Sequence, residues 1–183
     1  MKRNQFLSTA LALFPMAAYH GKLNFYRQQI KGFKVNAGKS RSGESYRMKG
    51  VTLNILDVKI SGKDTGGGLA VFEQTGLTPN GGPPLHIHPN QDEWFYVIEG
   101  QYDFQVGSDR FHLKTGDTIF LPRNVQHAFI QLSRTAKVLV SFMPAGKMEN
   151  FFAFTDKWEA PPTKEEIQKA FEDHDMLVVG PPL

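Results

Sequence analysis

From Val51 onward, apolar and polar positions alternate or cluster in short runs, and the runs are cut at regular intervals by glycine and proline. Val51–Leu56 and Leu69–Glu73 read as strands on either side of a glycine-rich loop, Gly62–Gly68. Thr78-Pro79-Asn80-Gly81-Gly82-Pro83-Pro84 is a loop, because proline removes backbone donors and glycine permits unusual φ. Further strands are predicted over Glu93–Glu99, Gln101–Val106, Arg110–Leu113, Asp117–Leu121, Gln126–Leu132 and Lys137–Met143. The turns between them are Glu99-Gly100, Gly107-Ser108-Asp109, Thr115-Gly116 and Pro122-Arg123-Asn124. Many short strands at this spacing predict a sandwich or a barrel.

Outside that block the pattern changes. Residues 19–50 are polar and mixed, with Phe33-Lys34-Val35 as a candidate edge strand. After Met143 a helical signal emerges: Thr163 with Glu166 three positions on forms a capping box, and Ile167, Ala170 and Phe171 supply an apolar face. This helix is expected to end near His174, and the apolar tail to Gly180-Pro181-Pro182-Leu183 is expected to dock on the barrel. The organisation is thus a signal-like segment at 1–18, a strand-and-loop extension at 19–50, a barrel at 51–145 and a C-terminal extension with a helix at 146–183.

Composition narrows the class. The chain has 183 residues, enough for one domain with a sizeable core, and its 15 phenylalanines favour strand over helix. The net charge of +3 is spread over the chain with no aromatic–basic stripe, so it reads as solvated surface rather than a nucleic-acid footprint. With no cysteine, disulfides, thiolate nucleophiles, iron–sulfur clusters and cysteine-based zinc sites are excluded.

Lys2 and Arg3 precede an apolar run from Phe6 to Phe14, and Ala17-Ala18 supply small residues at a cleavage point. This is the layout of a signal peptide and predicts export; the alternative is an amphipathic helix retained on a cytoplasmic protein. The run is too short for a stable membrane span.

The chemistry lies in two stretches. His86-Ile87-His88 on an extended segment points two imidazoles to one side, as a metal needs, and Glu93 follows after a Pro89-Asn90 turn. Gly116 to Pro122, then Arg123-Asn124-Val125-Gln126-His127, offers a strand, a turn and a histidine at the start of the next strand. Asp92 rivals Glu93, and because both faces of that strand are apolar, periodicity does not choose between them. His112 reads as a surface or packing residue, His174 as a helix C-terminal cation, and His20 is not assigned to a metal.

Taken together, H-x-H-x4-E-x6-G over His86, His88, Glu93 and Gly100, followed by G-x5-P-x4-H over Gly116, Pro122 and His127, resembles the two motifs of the cupin superfamily. Asn80 stands where the first motif begins with Gly, Asn124 where the second has Gly, and Gln131 where it ends in Asn. None of these is a ligand position, and Asn tolerates the left-handed conformation better than most residues. The wider setting is similar to the single-domain cupins that resemble quercetin 2,3-dioxygenase.

The resemblance implies an all-β, cupin-type β-barrel (a double-stranded β-helix, jelly-roll-like) with a short C-terminal helix. It implies one divalent transition metal, Fe, Mn, Ni, Co, Cu or Zn, on His86, His88, Glu93 and His127, and its spacing favours Glu93 over Asp92. Glu93 would also accept a substrate proton. The inward strand faces place Phe95, Val97, Phe104, Phe129, Gln131 and Phe142 as candidate pocket residues, suited to a small, flat or aromatic ligand; alternatively the phenylalanines simply fill the barrel. Phe151, Phe152, Phe154 and Trp158 would close the pocket mouth or meet a partner subunit, and a homodimer is implied. Three functions fit: a metal-dependent dioxygenase, a non-catalytic small-ligand-binding protein, or a metal-dependent isomerase or lyase.

Overall fold

A computed structural model describes residues 31–41, 43–49 and 53–183. The signal-like segment at 1–18 lies outside the described residues. Among the described residues, eleven strands and two helices follow one another as β1 (Tyr46–Met48), β2 (Asn54–Ile60), β3 (Ala70–Gly76), β4 (His86–Ile87), β5 (Asp92–Glu99), β6 (Gln101–Val106), β7 (Asp109–Lys114), β8 (Thr118–Leu121), β9 (His127–Gln131), β10 (Ala136–Met143), α1 (Met148–Thr155), α2 (Lys164–Asp173) and β11 (Leu177–Val178).

The strands form two antiparallel sheets, a six-stranded one in the order β1-β2-β3-β10-β5-β8 and a five-stranded one in the order β11-β4-β9-β6-β7. The arrangement is jelly-roll-like: the two sheets face each other without one continuous hydrogen-bonded ring. Their inner faces meet through aromatic rings, with Phe95 of β5 5.1 Å from Phe104 of β6 and 5.4 Å from Phe129 of β9, centroid to centroid. Alternation does the sorting along β5, where Glu93, Phe95 and Val97 are buried while Tyr96 is exposed.

Two close backbone approaches set the loop before β4. Asn80 N–H donates to the Gln131 carbonyl and Gln131 N–H to the Gly81 carbonyl, so this loop runs as an extra edge beside β9. A Cβ on Gly82 would lie 1.7 Å from the Phe129 carbonyl oxygen, and only glycine fits. Asn80 and Asn124, the two motif departures, adopt φ of 60° and 63°. Both keep the left-handed turn that the motif glycine provides.

Helix α2 matches its capping box: the Thr163 side chain accepts from Glu166 N–H and the Glu166 carboxylate from Thr163 N–H. Strand β11 pairs with β4, and Leu85 is further tied to Val179, Gly180 and Pro181, so the tail is docked on the sheet. The jelly-roll-like β-barrel with a C-terminal helix expected from the sequence is what the structure has, as two facing sheets. A second helix, α1, joins the expected one, because Met148, Phe151, Phe152 and Thr155 form a buried i, i+3, i+4, i+7 face. One expectation needs correction. Phe33-Lys34-Val35 forms no strand; Phe33 lies under the Arg41 guanidinium, 4.1 Å from its ring centroid. Among the described residues, no helix is long and apolar enough to cross a membrane.

Candidate metal centre

His86, His88, Glu93 and His127 are brought together, and one potential ligand atom from each lies within 4.8 Å of the others. All four are buried, at 5%, 1%, 5% and 1% exposure. Backbone register explains the convergence. His86 is the direct partner of His127 across β4 and β9. His88 follows two residues after His86 on the same side, and Glu93 points inward from β5 in the opposite sheet. The cluster therefore joins the two sheets.

Each imidazole is oriented from behind. His86 Nδ1 lies 2.8 Å from the Pro84 carbonyl oxygen and His127 Nδ1 2.9 Å from that of Val125. A carbonyl only accepts, so both rings carry their proton on Nδ1. His88 Nδ1 lies 3.2 Å from Gln91 Oε1. The Gln91 amide nitrogen donates to the carbonyls of Pro144 (3.1 Å) and Ala145 (3.0 Å), which fixes its oxygen towards His88. All three rings are thus Nδ1-protonated, with an Nε2 lone pair towards the centre.

Burial, with the like charges of His127 and His88, holds His86 well below the usual imidazole range. Burial also lowers His88, aided by His127 and opposed by Glu93. Neutral imidazoles beside a carboxylate are what a divalent cation requires. One atom shows the need directly. His127 Nε2 is buried without a hydrogen-bond partner, yet it lies 3.1 Å from Glu93 Oε2, lone pair against lone pair. A cation between them removes that conflict, so the residues fit a metal ion.

Asp92 faces the other way. Its carboxylate takes two side-chain hydrogen bonds and the backbone N–H of Arg123, and Arg123 holds its carboxyl down to about 2. His112 is exposed and pairs with Asp103 at 2.8 Å, while His174 caps α2 through the Ala170 carbonyl. Neither approaches the cluster.

The cluster opens onto a cavity of about 60 Å³. Of the pocket residues expected from sequence, Phe95, Phe129 and Phe142 line it. Val97, Phe104 and Gln131 do not: Val97 and Phe104 are fully buried in the barrel core, and Gln131 donates to the Ser133 carbonyl beside Gly76. Phe151 and Phe152 line the cavity, whereas Phe154 is exposed and Trp158 packs at the edge of the core. The lining also takes Gln74 from β3, Met148 from α1, Phe171 from α2 and Met176 beyond it. Sequence reasoning missed these four, and Met48, Asn54 and Pro83 of the lining as well. The inward alternation of Phe72 and Gln74 along β3 was a usable signal; the fold-back of the C-terminal segment left none.

A jelly roll with three histidines and one glutamate from two facing sheets defines a class, and sequence comparison agrees with it. Residues 75–142 match the family described as Cupin domain, so this part of the chain is a cupin domain. The chain is similar to quercetin 2,3-dioxygenase of Bacillus subtilis, with 27% identity over 132 residues, 69% of this chain and 38% of that protein. An uncharacterized protein of Streptomyces coelicolor is 33% identical over 54 residues, 30% of this chain and 51% of that protein. The chain thus spans about half the length of these curated relatives, or less. Among solved structures, an RmlC-like cupin from Shewanella frigidimarina superposes with a TM-score of 0.53 at 18% identity, covering 65% of this chain and 96% of that one. KdgF from a Halomonas species gives 0.52 at 16% identity, covering 62% and 94%. These likenesses show the fold.

Proposed function

We propose that this cupin is a metal-dependent, dioxygenase-like oxidoreductase acting on a small organic substrate. The observation that carries this reading is the buried set of three Nε2 lone pairs and one carboxylate opening onto an apolar cavity. A transition ion held there supplies a Lewis-acid and redox centre. The protein's own part is to orient the three rings, to exclude water with Phe95, Phe129, Phe142 and Phe151, and to receive a substrate proton on the Glu93 carboxylate.

Among the described residues, the lining contains no lysine, arginine, tyrosine or second carboxylate besides Glu93. That disfavours an isomerase or lyase, which moves a proton between two positions and uses a second acid–base group. The cavity volume corresponds to a handful of water molecules, so the substrate is small. A multi-ring flavonoid enters only if α1 and α2 move aside. The weak similarity to quercetin 2,3-dioxygenase supports the reaction class rather than that substrate.

Elemental analysis of the purified protein, beside a His86→Ala/His88→Ala control, tests the centre. Near-stoichiometric Fe, Mn, Ni, Co or Cu, lost in the control, followed by substrate-dependent oxygen uptake, is the expected result. A reloaded protein that holds metal but consumes no oxygen across a panel of small enols, phenols and keto acids leaves the non-catalytic ligand-binding reading. Failure to hold any metal removes the dioxygenase reading and leaves a barrel that binds or scaffolds.

A further inference from the structure

The cavity has polar groups at two ends. One is the histidine–glutamate cluster. The other holds the side chains of Asn54 and Gln74, both 94% buried and both lining the same cavity. An amide set in a largely apolar wall costs desolvation unless something bonds to it, so a protein that keeps one there has a use for it. The apolar partners of Gln74 sharpen the point: its neighbours in register are Leu56 on β2 and Val138 on β10, neither of which can bond to it.

Register also gives the separation. Glu93 is level with Phe142 of β10, and Gln74 with Val138, four residues along the same strand. Gln74 and Glu93 lie on opposite sides of β10, so four residues at ~3.4 Å along the strand and two strand spacings of ~4.8 Å across it put their backbones ~17 Å apart. Both side chains reach inward, so the remaining gap suits a short chain rather than a fused-ring system. Phe142, Val140 and Phe152 wall the passage between them, and Met48, Met148 and Met176 complete it. Methionine is unbranched and adapts its shape, so this wall can enlarge around a ligand slightly bigger than the cavity as it stands.

We infer that Gln74 is a second anchor for the ligand, and that the substrate class is a short organic molecule with oxygen functions at both ends and an apolar middle. One oxygen, anionic or enolic, faces the metal centre; the other, a carbonyl or hydroxyl, bonds to the Gln74 amide. The inference rests on the metal-centre reading above and adds to it the length and polarity of the substrate. Gln74 acts as a positioning and specificity residue, because its contact lies at the end of the molecule away from the metal.

The test uses the full chain, metal-loaded and metal-free, with 4-oxopentanoate and pentanoate as probes, in wild type and in Gln74→Met. Calorimetry on the loaded wild type is expected to give roughly five- to tenfold tighter binding of 4-oxopentanoate, the worth of one hydrogen bond to a neutral amide. In Gln74→Met that preference collapses towards unity while pentanoate binding is unchanged. The metal-free variant is expected to melt at a higher temperature than metal-free wild type, since an amide in a largely apolar wall has been replaced by a thioether of similar shape. Equal affinities for the two probes in wild type, a preference that survives Gln74→Met, or binding of neither probe to protein that holds its metal each overturn the inference and leave the metal centre standing. A lower melting temperature of the metal-free variant also overturns it, by showing that the amide is structural. Loss of metal from wild type overturns the metal-centre reading instead.

Discussion

Gly146 lies against the Gln91 amide so closely that a Cβ on it would sit 2.4 Å from Gln91 Nε2, and its φ of 53° is one that side chains rarely adopt. Gln91 in turn fixes the Nδ1 proton of His88. A glycine outside the ligand set thus governs the orientation of a ligand. Gly146→Ala is expected to displace the amide and lower metal affinity by ~10–100-fold, the usual cost of losing an outer-shell partner. Gln91→Ala should do the same. Metal titration against a competing chelator reads both, with circular dichroism confirming that the fold persists.

Asp92 and Glu93 are adjacent in sequence and opposite in role. Glu93→Gln is expected to weaken metal retention at least as much as the loss of an outer-shell partner, ~10–100-fold, whereas Asp92→Asn should retain near-stoichiometric metal. Retention in the first and loss in the second would reverse the assignment. The Asp92–Arg123 pair also leaves a pH signature. Arg123 depresses the Asp92 carboxyl to about 2, below its unfolded value, so the pair's contribution is complete above the ordinary carboxylate range near pH ~4. It fades as pH falls through about 2. Arg123→Ala should bring the Asp92 titration back to that range in an NMR experiment, and the pair, being partly exposed, should contribute little at neutral pH.

Gly82 is packed against backbone rather than a movable side chain. Its substitution by alanine drives a Cβ into the Phe129 carbonyl and must break the ladder between Asn80, Gly81 and Gln131. Gly82→Ala is expected to destabilise the fold by on the order of 3 kcal/mol. Denaturant titration measures it; a change under ~0.5 kcal/mol, typical of a surface site, would contradict the packing described.

The Tyr102 hydroxyl is fully buried and has no hydrogen-bond partner, and burial raises its phenol well above the ordinary tyrosine range. Tyr102→Phe therefore removes a desolvated hydroxyl without breaking a bond. The expected outcome is a neutral to stabilising change, up to ~1 kcal/mol, by thermal or urea unfolding. A clear loss of stability would mean that the hydroxyl is bonded.

The strands from β5 to β10 were legible because each either alternates or is rich in aromatic and β-branched residues, with turn signals between them. The helix α2 was legible from Thr163 and Glu166 alone. Helix α1 was not, for a physical reason: Lys147 offers no side-chain cap, and a run as aromatic as Asn150–Thr155 suits a buried strand as readily as a helix. Strands β4 and β11 have two residues each, too few to show a period. At the site, spacing brought out His86, His88, Glu93 and His127, because the two motifs place their ligands by short local turns. Val97 and Phe104 share an inward face with true lining residues, and alternation cannot say how far along a strand the cavity extends. Phe171 and Met176 reach the cavity only through the pairing of β11 with β4, a contact between segments far apart in the chain.

That pairing has a consequence for biosynthesis. A nascent chain that has emerged as far as His127 already carries every ligand of the proposed centre, but it still lacks Phe171, Met176 and the strand that flanks His86. Metal capture can therefore begin on a half-built molecule whose cavity is open to water, and the C-terminal segment then seals it. An ion held by these four residues would tie the two sheets to each other before that wall is finished.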